Sequence, residues 1–125
     1  MLHIALIFLG GGAGAVSRHL VNGVALRAVG PNFPAGTLAV NVIGSLLMGL
    51  FIGWIVKSGA STETRLLVAT GFLGGFTTFS AFSLDVANLW ERGAGGVALV
   101  YVVASVILSV AAVFAGLAIA RAVGS

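Results

Sequence analysis

Four apolar runs stand out along the chain, each long enough to cross a bilayer and each set off by a short polar or turn-forming break. A hydrocarbon core of about 30 Å takes about 20 residues of helix. The pattern therefore predicts transmembrane helices over residues 2–28, 35–56, 65–90 and 97–120 of a single domain, residues 1–125. Gly30-Pro31-Asn32-Phe33-Pro34 closes the first, because two prolines interrupt helical continuation. Between Lys57 and Thr64, Ser61 or Thr62 can cap the third helix, and Glu63 suits its positive end. Glu91-Arg92-Gly93-Ala94-Gly95-Gly96 makes the last turn. Trp54 and Trp90 fall near span ends, where amphipathic rings favour the headgroup region. The fold class is an all-α membrane protein.

Polar residues inside the spans are few and regularly spaced. In the second helix Thr37, Asn41 and Ser45 recur every four residues, with Gly49 and Gly53 continuing the line. In the fourth, Tyr101, Ser105 and Ser109 do the same among Val, Ile, Leu and Ala. Small and hydroxylic stripes serve close helix packing, and each stripe alone is accounted for that way. Two stripes in one short chain, neither holding an acid, also fit a lined path, since hydroxyl and amide donors replace the hydration of an anion. Both readings stand at this level.

The stretch GFLGGFTTFSAFS, Gly71 to Ser83, departs from ordinary membrane helix. Gly71, Gly74 and Gly75 weaken it, and the adjoining threonine hydroxyls compete for backbone groups, so a glycine-rich break is expected there. Unwound backbone at that depth must line water, pack in protein or coordinate a cation. Thr78 and Ser80 add side-chain donors. Phe79 and Phe82 share one helical face, either as a packing ridge or as ring edges turned to an anion.

Charge sharpens the picture by its scarcity. Only 7% of residues are charged against 59% hydrophobic, with a mean hydropathy of +1.18, so the chain belongs in a bilayer. The absence of a separate charged leader and cleavage site implies that the first run stays as a span. Six Lys and Arg are scattered singly rather than gathered in a basic stripe, which argues against a nucleic-acid partner. Lys57, Arg65 and Arg121 fall on one side of a four-span arrangement, and Arg18, Arg27 and Arg92 on the other. That tie favours neither orientation and is compatible with dual topology or with too few charges to decide. Arg18 and His19 lie deep in the first span; Arg18 either raises the potential of a vestibule or snorkels to a carbonyl, and His19 lacks a partner for metal or proton work. Asn22 can assist either. Asp85 sits near the end of its span, and no acid occupies mid-span, where a coupled carrier would place one. No nucleophile and base pair supports an enzyme, and the chain has no cysteine. Gly10-Gly11-Gly12-Ala13-Gly14 follows no strand, so helix packing explains it better than a dinucleotide site.

GGGAGAVSRH, GTLAVNVIGS and GFLGGFTTFSAFS, in that order, closely resemble the bacterial fluoride channel family (Fluc, also called CrcB) over nearly the whole chain. The resemblance implies a passive channel exporting fluoride across the inner membrane. It implies an antiparallel, dual-topology homodimer with two pores and a structural sodium ion at its centre, held by carbonyls matching Gly74 and Thr77. It implies pore roles for Phe79, Phe82 and Asn41, a hydroxyl track of Tyr101, Ser105 and Ser109, and a vestibule role for Arg18. Thr37, Thr78, Ser80 and Ser83 fall in the same motifs. A small multidrug exporter would need an acidic residue in the first span, which this chain lacks; a membrane scaffold would use the stripes only as packing faces.

Overall fold

The computed structural model describes residues 1–123. Four spans cross, the first as α1 (Leu2–Val29) and the second as α2 (Ala35–Ser58). The third is divided. Its first part, α3, covers residues 62–76: it opens as Thr62–Arg65, widens into a π-helix over Leu66–Leu73 and returns to α-helix over Gly74–Phe76. After Thr77 and Thr78 the span resumes as α4 (Phe79–Glu91). The fourth is α5 (Gly95–Val123). At about 1.5 Å per residue even the 24-residue α2 is about 36 Å long, enough to span the hydrocarbon core.

Local chemistry fixes the ends. Ser61 is the cap of α3: its Oγ accepts from the Thr64 amide at 3.2 Å, so helix begins at Thr62, one turn earlier than the apolar run predicts. At the same membrane side Lys57 Nζ donates to the carbonyl of Ala120, at 3.3 Å, and to that of Arg121, satisfying the last turn of α5. His3 and Glu63 approach to 3.6 Å on that side, tying the start of α1 to the start of α3.

The helices pack in two intimate pairs, α1 with α3 and α2 with α5. Between helices in lipid there is no water to expel, so close backbone contact has to supply the attraction. At Gly14 a methyl group would collide with the carbonyl of Phe72, and at Gly75 with that of Gly11. Gly49 and Gly116 play the same part where α2 meets α5, against the backbone of Val113 and Leu46. A buried cluster sits where Phe82 and Leu89 of α4 meet Ala98 and Tyr101 of α5, with further buried positions such as Val40, Leu73 and Phe76 between the other helices. Large apolar side chains such as Phe8, Leu9, Val16 and Phe114 point outward, as lipid or another membrane chain requires.

The interruption lies beyond the glycines. Gly71, Gly74 and Gly75 all remain helical, and the chain leaves the helix at Thr77 (φ −85°, ψ 158°) and Thr78 (φ −154°, ψ 125°). The physical reason is that Gly71 and Gly75 are committed to the close approach of α1, while a side chain from α2 captures the backbone two residues further on.

Candidate functional site

That side chain is Asn41. Its Oδ1 accepts from the Thr78 amide at 2.8 Å and its Nδ2 donates to the Thr78 carbonyl at 3.0 Å, pairing with the extended residue as a neighbouring strand would. Thr78 in turn caps α4, its Oγ1 accepting from the Ala81 amide at 3.1 Å with Ser80 Oγ 3.3 Å away. In an uninterrupted helix the amides of Thr78 and Ala81 would serve the carbonyls of Gly74 and Thr77. Both amides are given to side chains instead. Gly74 and Thr77 therefore lose their ordinary helical donors, in a span where water cannot replace them. The Thr77 hydroxyl turns back to the Leu73 carbonyl at 2.9 Å, and its methyl rests against α2 at Gly44. Gly74 itself is exposed on the chain's outer face.

A cavity of about 370 Å³ opens beside this break, lined among others by Asn41, Ser45, Phe79, Phe82, Ser105 and Ser109. The α2 and α5 stripes thus converge on one space. The hydroxyl oxygens of Ser105 and Ser109 are buried there without a hydrogen-bond partner among the described residues. A buried hydroxyl left unpaired costs about 1–3 kcal/mol, and serines on helices readily avoid this by bonding a carbonyl one turn back. Ser17 and Ser83 do that, at 2.8 and 3.0 Å. Ser105 and Ser109 do not.

Aromatic rings close one end of the cavity. Phe79 and Phe82 lie 5.5 Å apart, Phe82 and Tyr101 5.2 Å, and Phe33 meets Tyr101 edge-on at 5.6 Å. Phe82 is buried, whereas Phe79 is 78% exposed, its ring packed on Phe82 at the open edge of the cavity. Tyr101, fully buried, donates to Asp85 Oδ2 at 2.9 Å. Beyond it a second cavity of about 350 Å³ is lined by Asn22, Thr37, Asp85, Asn88 and Arg92. The α2 stripe is therefore split: Thr37 faces one cavity and Asn41 the other, with Phe82 and Tyr101 between them.

The remaining candidates fall outside these spaces. Arg18 Nε donates to the Gly75 carbonyl at 3.2 Å, beside the break, and lines neither cavity. Within the single chain its Nε makes the carbonyl contact that its depth in the span allows. Ser80 and His19 are exposed. Sequence reasoning assigned no role to Asp85, which proves to be the acceptor for Tyr101, and placed Ser45 only within the α2 stripe, from which it joins the cavity wall. Ser45 was signalled by the stripe, but nothing in the sequence pairs Asp85 with a tyrosine sixteen positions away.

Known proteins are similar to this chain over nearly its whole length. The family described as CrcB-like protein, Camphor Resistance (CrcB), matches residues 5–117. A protein of Mesorhizobium japonicum named fluoride-specific ion channel FluC is 58% identical over 121 residues, covering 97% of this chain and 98% of its own. Proteins with the same name from Agrobacterium fabrum and Rhodopseudomonas palustris are 54% and 56% identical, covering 97% and 94% of this chain and 98% and 96% of their own. With the family model matching residues 5–117 and relatives more than half identical over nearly its full length, the chain belongs to the CrcB family.

Proposed function

We propose that this chain forms a fluoride-selective channel of the bacterial inner membrane, which lets cytoplasmic fluoride leave down its electrochemical gradient and so confers fluoride resistance. The observation that carries the reading is the pair of buried, unpartnered hydroxyls of Ser105 and Ser109 on the wall of a cavity that also holds Asn41 and Phe82. An anion leaving water needs donors in exchange for its shell, and donors already satisfied by the protein cannot serve. Asn41 retains a second Nδ2 hydrogen beyond the one given to Thr78. Ring edges of Phe79 and Phe82 add weak positive potential without holding the ion too tightly to leave. The names of the relatives, fluoride-specific ion channels, select fluoride among anions. Their kind is a channel, not an enzyme.

The working unit in this reading is a homodimer of oppositely oriented copies, with two pores. Its support is the one-sided character of the site: Phe79 is exposed, and the cavity beside it needs a further wall. The equal division of cations between the two sides agrees with copies inserting both ways. Sodium fits the carbonyls of Gly74 and Thr77, because each has lost its helical donor and hard cations take oxygen ligands from unwound backbone. When bound it supplies a fixed positive charge near the pores and a joint between copies.

Fluoride efflux from liposomes carrying the purified protein, followed with a fluoride electrode beside chloride-loaded controls, tests the function. Rapid fluoride release without chloride release is the expected outcome. Silence from folded protein would leave the two stripes as packing faces.

A further inference from the structure

We infer that Asn41 is a positioning residue for the cation site: it opens the Gly74 carbonyl by holding the Thr78 amide away from it. This rests on the sodium reading above and goes beyond a role for Asn41 as an anion donor. The amide of residue 78 has two competing acceptors. One is the Gly74 carbonyl one turn back, which would continue the helix; the other is Asn41 Oδ1, which takes the amide at 2.8 Å. The second bond, from Nδ2 to the Thr78 carbonyl at 3.0 Å, keeps the amide group of Asn41 from rotating out of this pairing.

The neighbouring contacts all act in the same direction. Thr78 Oγ1 takes the Ala81 amide and so releases the Thr77 carbonyl. Arg18 Nε occupies the Gly75 carbonyl, leaving that oxygen out of contention as a ligand. The Thr77 hydroxyl is spent on Leu73. Around the break the Gly75 carbonyl is taken by Arg18, whereas those of Gly74 and Thr77 have yielded their ordinary donors to side chains, and Asn41 governs the first. Because Asn41 also lines the cavity of Ser105 and Ser109, one side chain joins the cation site to the ion path.

Substitution separates the acceptor from the donor. Asn41→Asp keeps an oxygen for the Thr78 amide, whether charged or protonated, and with it an open Gly74 carbonyl. Asn41→Ala removes both bonds and lets the Thr78 amide return to Gly74. Wild type and both variants would be purified in N-methylglucamine chloride. Bound sodium per dimer would be read by atomic emission, and the thermal midpoint compared with and without sodium chloride.

The expected result is retained sodium and a sodium-dependent rise in midpoint for wild type and Asn41→Asp, with both lost in Asn41→Ala. A folded Asn41→Ala dimer that holds sodium as the wild type does overturns the proposal and leaves Asn41 as an anion donor only. If Asn41→Ala does not assemble, Asn41→Asp decides: sodium retention supports the acceptor role, and its loss from a folded dimer overturns it. Wild type without bound sodium or a sodium-dependent rise removes the cation reading itself, an outcome distinct from either variant result.

Discussion

The break in the third span and the serine face of α5 are both polar places in an apolar protein, but they treat hydrogen bonds oppositely. At the break, Asn41, Thr77 and Thr78 each spend their side chains on named backbone groups at 2.8 to 3.1 Å. On α5, Ser105 and Ser109 have no hydrogen-bond partner among the described residues. Bonds made within the protein fix shape. Hydroxyls left without partners, at a cost of about 1–3 kcal/mol each, retain donors for something that passes. In the proposed channel, the bonds at the break serve architecture and the unpaired hydroxyls of α5 serve transport, with Asn41 belonging to both.

The harshest way to break this comparison is to attack the architectural half. Gly44→Val drives a branched side chain into Thr77, which already fills the space over that glycine. The expected outcome is loss of assembled protein on a sizing column and fluoride flux at the liposome background; an intact, active variant would show that the break tolerates displacement. Replacing Ser105 and Ser109 together by Ala attacks the other half. Flux should fall about tenfold or more, from about 1.4 kcal/mol of lost stabilisation along the path, while the thermal midpoint stays level or rises because no internal bond is lost. A fall in midpoint with flux unchanged would reverse the assignment.

Phe79→Ile should lower flux with little effect on the stability of the single chain, since the ring is 78% exposed there. Tyr101→Phe strips the hydroxyl from Asp85 and should cost about 1–3 kcal/mol, seen as a lower midpoint in detergent. Least of all, His3→Ala removes an exposed contact worth about 0–1 kcal/mol and should change neither flux nor midpoint measurably.

How much of this was readable beforehand follows the range of the interactions. The four spans come from local hydropathy, and the second helix does begin at Ala35, directly after Pro34. The glycine clusters gave the close helix contacts, as Gly14 against Phe72 illustrates. The interruption was placed at the glycines because they are the weakest helix formers, whereas its position at Thr77 and Thr78 depends on Asn41, thirty-seven residues away. Period four put Thr37 and Asn41 on one face, but their division between two cavities depends on where Phe82 and Tyr101 stack. Arg18 could be placed at depth from the sequence; its choice of the Gly75 carbonyl required the fold of the third span.

The hold of Lys57 on the carbonyls of Ala120 and Arg121 links the middle of the chain to its last turn. Those carbonyls are synthesised after Lys57, so the ammonium has neither acceptor until the fourth helix is in place. With α5 packed, the ammonium sits on the helix end and one side chain fastens the second connection to the last turn of α5.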